Sequence, residues 1–234
     1  MAGAADPGGL PRQRRGITPQ LHGRYPDYDV LEQAEHWDEA TRATILDRVE
    51  NVPAVHFFTE KEAETLTAFC DVVLAQDADP RIPVLNYIDE KYSTGSLDGY
   101  QYADMPDDRE VWKLVAEGLE ATARERGAES FALATFELQH RICDDFAHSR
   151  LRGGVWERLN TARAWSLVMR GCVDSFYSHP WAWNEIGFGG PAYPRGYSRF
   201  GSPHLDAAER EEWEGEEVVS VDPVRDVRER VLES

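Results

Sequence analysis

Cysteine is scarce, with only Cys70, Cys143 and Cys172 in 234 residues, and neither CxxC nor CxxCH occurs. An odd, widely spaced set excludes a disulfide framework, a zinc finger and a covalent haem site. Each cysteine falls in an apolar helical pattern, so buried, reduced thiols are expected. No stretch approaches the roughly 18 apolar residues of a membrane span. The arginine pair Arg14-Arg15 has no apolar run behind it. The opening residues are therefore expected to be a loose leader and the chain cytoplasmic, with export beside a signal-bearing partner still compatible. Cations are few as well: 25 Lys and Arg face 43 Asp and Glu, for a formal charge of −18. That balance argues against nucleic acid or an anionic membrane as the main partner, since both reward clustered cations. Only Lys61, Lys91 and Lys113 are lysines.

What is present reads as helix. A chain of this length buries roughly 70% of its unfolded surface without staples, and 41% of its residues are hydrophobic. No segment shows sustained period-two alternation bounded by hairpin turns. A helix is expected over 38–50, with Ala40, Ile45, Leu46 and Val49 inward. Thr59 and Glu62 form a capping box, followed by Leu66, Phe69, Cys70, Val73 and Leu74 at helical spacing. Asp79-Pro80 leads toward Val84–Asp89. Asp107, Asp108 and Glu110 suit a helix N-terminus; the buried face beyond is Val111, Trp112, Val115, Leu119 and Ala123, and Gly127 can end the helix. A fourth helix is expected over 130–149, with Leu133, Phe136, His140, Cys143 and Phe146 or Ala147 on one stripe. A fifth is expected from Val155 or Trp156 to Phe176, through Leu159, Ala162, Ser166, Met169 and Val173. The expectation is an all-α fold, an irregular bundle of five or more helices. Composition divides the chain into the leader, 1–24, a helical domain, 25–205, and an acidic tail, 206–234.

Residues 176–200 differ from the rest. They hold eight of the 25 aromatics, interleaved with three Pro and four Gly, so they cannot form one regular helix. Such a segment either covers the end of the bundle or meets a partner, because Tyr and Trp concentrate at interface centres. Its candidate partner-interface residues are Phe176, Tyr177, His179, Trp181, Trp183, Phe188, Tyr193 and Tyr197. The tail beyond carries 11 acids and four Arg, a run expected to be solvated.

Catalytic motifs are sparse. Glu137-x-x-His140 is half of the pattern by which helical bundles hold two metal ions, and His140, Asp144 and His148 recur at spacings of four. The second Glu-x-x-His is missing, so no metal site is assigned, and a core His140 hydrogen-bonded to a neighbour is the preferred reading. His179 could act as a base beside Ser175 or Ser178, but no nucleophile elbow or orienting group accompanies it. Neither Gly-x-x-x-x-Gly-Lys nor a strand-linked Gly-x-Gly-x-x-Gly occurs. No catalytic residue and no cofactor is therefore assigned to this chain.

The run Gly171-Cys-Val-Asp-Ser-Phe-Tyr-Ser-His-Pro180, continued by Trp183-Asn-Glu-Ile-Gly-Phe-Gly-Gly-Pro-Ala-Tyr-Pro-Arg-Gly-Tyr197, resembles the end of the gluconate 2-dehydrogenase subunit 3 family. Phe58-Thr59 opening a helix, and Ile82-Pro83-Val84 leading to Tyr87-Ile88-Asp89, are similar to its beginning. The resemblance spans about residues 55–200. The twin-arginine signal of many members and the acidic tail after Pro203 lie outside it. It implies a non-catalytic accessory subunit that binds and stabilises or matures a large FAD-dependent oxidoreductase of the glucose–methanol–choline type, acting on sugars, sugar acids or other alcohols. FAD would sit in that partner, and in some members a cytochrome c subunit completes the complex. Two alternatives remain: a transient maturation chaperone for that flavoprotein, and a free-standing metal-binding enzyme built on Glu137, His140, Asp144 and His148.

Overall fold

The computed structural model of the chain describes residues 29–76, 79–96, 98–186 and 188–191. The expected leader over 1–24 and the acidic tail over 206–234 lie outside the described residues, as do Tyr193 and Tyr197. Among the described residues there are seven α-helices, two short 3-10 helices and no strand, so the all-α expectation holds. A 3-10 helix, Val30–His36, is followed by α1 (Glu39–Glu50), α2 (Glu60–Val73), α3 (Val84–Ser93), α4 (Asp108–Glu125) and α5 (Phe136–Ala147). A second 3-10 helix, Gly154–Arg158, then leads to α6 (Thr161–Tyr177) and α7 (Pro180–Ile186).

Side-chain caps set most of the starts, each supplying an acceptor for an otherwise orphaned N–H. Asp38, Asp107, Thr135 and Asn160 cap α1, α4, α5 and α6, and Thr59 with Glu62 closes the capping box on α2. Gly127, at φ +89°, takes the left-handed conformation just beyond α4, where a residue without Cβ meets no steric penalty.

The central element is α4, packed against α2, α5, α6 and the second 3-10 helix. Val111, Trp112, Val115, Leu119 and Ala123 are fully buried along it, on the face expected from sequence. Trp112 donates its indole N–H to the Tyr92 hydroxyl of α3 at 3.0 Å. Gly118 lets the second 3-10 helix approach: a Cβ there would lie 2.6 Å from the Trp156 ring, whose N–H reaches Thr122 Oγ1 at 3.1 Å. Phe69, Phe146, Trp156 and Trp165 join α2, α5, the second 3-10 helix and α6 in one aromatic cluster.

Two buried carboxylates organise loops. Asp89, fully buried on α3, accepts from the backbone N–H groups of His56, Phe57 and Phe58 at 2.7–3.0 Å. Glu120 on α4 accepts from the Thr65 hydroxyl at 2.8 Å, the Phe131 N–H at 3.0 Å and the Arg124 guanidinium at 2.9 Å. Hydrogen bonds to ionised acceptors are about twice as strong as neutral ones, so each carboxylate offsets the cost of its burial.

Four expectations are corrected. The helix expected over 130–149 begins only at Phe136, because Thr135 is its cap. Its buried face is Gln139, Ile142, Cys143 and Phe146, while Leu133, Phe136 and His140 are exposed. The fifth helix is interrupted at Leu159-Asn160, and α6 buries Ala164, Leu167, Val168, Cys172 and Phe176 instead of the expected stripe. The segment after Phe176 is not wholly loop, since Pro180–Ile186 is helical. On α1, Ala40 faces outward while Ile45, Leu46 and Val49 are buried.

Candidate functional site

The sequence signal of highest specificity runs from the end of α6 through α7, and its side chains tie that end of the bundle together. After Tyr177 the chain turns at Ser178, whose carbonyl accepts from the Arg48 guanidinium of α1. The Arg48 carbonyl in turn accepts from the Tyr87 hydroxyl of α3 at 2.5 Å. The Trp183 indole N–H donates back to the Tyr177 carbonyl at 2.7 Å. Asn184 Oδ1 accepts from Val30 N–H at 2.8 Å, which holds the first 3-10 helix against α7. Gly190, at φ +78°, closes the motif: a Cβ would stand 2.8 Å from the Trp37 ring.

His179 lies at the centre. It is almost fully buried, with its ring 4.8 Å from that of Trp181 and 6.3 Å from that of Tyr87. Its Nδ1 accepts from the Trp181 backbone N–H at 3.2 Å. Burial first, then the neighbouring Arg48 charge, pushes its pKa down to about 3. The imidazole is therefore neutral at pH 7 and serves as a packed acceptor. The Ser178 hydroxyl donates to the Ser175 carbonyl at 2.8 Å rather than to His179, so the structure assembles no serine–histidine pair from these residues.

This geometry changes what the aromatic segment offers a partner. Trp181 and Trp183 are only 5% and 6% exposed, and Phe176 and His179 are buried with them. Their side chains pack within this chain. Tyr177 and Phe188, at 39% and 37% exposure, present the part of the motif that reaches the surface. Phe188 also packs edge-on against Trp183 at 5.5 Å. Nothing in the motif's pattern of residue types distinguishes a tryptophan that plugs its own core from one that enters a partner, which is why sequence alone left both readings open.

The second group of sequence candidates lies on α5. Glu137 and His140 are exposed, and His140 stands 6.0 Å from the Phe136 ring rather than in the core. Asp144 engages the Arg150 guanidinium, and His148 Nδ1 lies 3.1 Å from Asp144 Oδ1. An acid already held by arginine at the surface is a poor start for a metal centre. Among the described residues no three His, Cys, Asp or Glu side chains are grouped to hold a metal ion.

The cysteines, far apart in sequence, meet in the core. Cys70 Sγ of α2 and Cys172 Sγ of α6 are 3.7 Å apart, and all three thiols are free and buried, as expected. The hydrogen bond between Cys70 and Cys172, then burial, raises the Cys70 pKa well above the usual thiol range. Burial pushes the Cys143 thiol to about 12. Such thiols are inert, because the thiolate is the reactive form.

Residues 60–190, more than half of the chain, match the family described as Gluconate 2-dehydrogenase subunit 3. The chain belongs to this family. The match runs from the first turn of α2 to the glycine seated on Trp37, so it includes the part of the C-terminal motif described here. Among curated proteins and among solved structures, none matches the chain. Membership in the subunit 3 family suggests an accessory subunit of a dehydrogenase complex. Within the described residues no helix is long and apolar enough to cross a membrane.

Proposed function

We propose that the chain is the non-catalytic small subunit of a flavin-dependent oxidoreductase of the glucose–methanol–choline type, which it binds and stabilises or matures. The observation that carries this reading is the family match over residues 60–190. FAD is assigned to the large partner, which would oxidise a sugar, sugar acid or other alcohol; in some complexes a cytochrome c subunit would take the electrons onward. The tightly tied motif around His179 supports a structural part for these residues: Arg48, Asn184 and Trp183 use their hydrogen bonds there to hold neighbouring elements together.

Purification of the tagged full-length chain from its native host tests the reading. The expected result is a second, larger chain at constant ratio and a flavin absorbance spectrum in the eluate. A chain that purifies alone and colourless would sink the stable-subunit reading. A flavoprotein whose share falls through successive washes would instead identify a transient chaperone.

A further inference from the structure

Leu133 and Phe136 are the most exposed large hydrophobic side chains among the described residues, at 71% and 61%. Both sit where the chain enters α5, in a segment whose apolar spacing predicts burial. Phe136 and Ala132 line an open groove of about 1190 Å³ whose opposite wall is α2. That wall presents the small side chains Ala63 and Ala68, with Ala75 in the turn just beyond the helix, so an occupant can come close to α2. Among the described residues Glu60 and Glu64, which line the groove, form no ion pair, whereas Asp71 there is engaged by Arg81. The surface thus joins an apolar floor to an uncompensated acidic edge.

Charge decides between occupants. A second copy meeting this face about a twofold axis would set Glu60 and Glu64 near their own images, on chains already at −18. Like charges brought together at an interface are costly, and opposite ones select the partner. We infer that the α2–α5 groove is the docking site for an apolar segment of the dehydrogenase partner flanked by Arg or Lys, an inference that rests on the subunit reading above. Phe136 is its apolar anchor, Leu133 extends the exposed apolar surface just before it, and Glu60 and Glu64 choose a basic partner.

Full-length wild type, the double variant Leu133→Asp/Phe136→Asp and the variant Glu64→Arg, each tagged and expressed in the native host, test the inference. These positions are exposed, so all three proteins should keep the same far-UV circular dichroism and melting temperature. Loss of central apolar anchors is expected to lower the retained flavin-bearing chain at least tenfold, and Glu64→Arg should lower it further as salt decreases. Equal retention of that chain by wild type and both variants overturns the groove while leaving the subunit reading intact. A wild type that brings down no flavoprotein overturns the subunit reading and the docking inference with it. A pure wild-type dimer that Phe136→Asp dissolves would assign the groove to a second copy and overturn the inference.

Discussion

His179 shows how a single residue can look catalytic in sequence and act as mortar in the fold. Its folded pKa of about 3 lies below the ordinary value of 6.5. The unfolded chain therefore takes up the proton first as pH falls, and linkage makes the folded state less stable through that window. The contribution is complete above about pH 6.5 and declines as pH drops toward 3, by up to about 4 kcal/mol. Urea midpoints measured between pH 7 and pH 4 should fall for the wild type. The same series on His179→Gln should start lower and slope less; an unchanged slope would show that other groups dominate. The three cysteines behave in the same spirit, since residues that invite a redox or metal reading are packed in the core, with burial raising the Cys143 thiol to about 12 and the contact with Cys172, then burial, raising that of Cys70.

At the scale of elements, α7 contributes through Trp183, whose ring fills the space beneath Phe188 and whose N–H caps the Tyr177 carbonyl. Truncating a buried tryptophan costs about 3–5 kcal/mol. Trp183→Ala should therefore lower the melting temperature of the isolated chain by roughly 10 °C, at about 2–4 °C per kcal/mol for a domain of this size. A variant that melts with the wild type would return Trp183 to the list of surface anchors. Element boundaries also explain what could be read from sequence. The inward face of α4 was legible because its apolar spacing runs unbroken from Val111 to Ala123. The face of α5 was not, because Thr135 caps the helix and Ser130–Thr135 follow no helical period. A stripe started at Ser130 thus carried the wrong phase. Thr135 three residues before Leu138 was the available signal, as was Asn160 ahead of α6. The fate of the aromatic motif was illegible for another reason: burial of Trp181 on α7 depends on α1, α6 and the first 3-10 helix packing against that helix, which no local pattern encodes.

At the scale of the molecule, one continuous core runs from Val30 to Trp183 and draws on every helix described. A chain with a single core of this kind unfolds cooperatively. Thermal unfolding followed by tryptophan fluorescence and by far-UV circular dichroism should therefore give coincident midpoints. Separate midpoints would show that the end of the bundle around His179 opens on its own. The charge of the whole chain bears on association: a net −18 favours a partner with a basic face and makes the encounter salt-sensitive.

The buried Asp89 has a consequence for how anything could be recognised beside it. Val55 and Phe58 border the α2–α5 groove, yet the N–H groups of His56, Phe57 and Phe58 are already given to Asp89, and that of Thr59 to Glu62. An extended peptide laid along residues 56–59 would find those four main-chain donors already taken and could not pair with them as an added strand, the mode in which backbone bonds supply affinity and tolerate varied sequences. Along this stretch, whatever occupies the groove is read through its side chains. Selectivity would then track the partner's residue types rather than its readiness to extend.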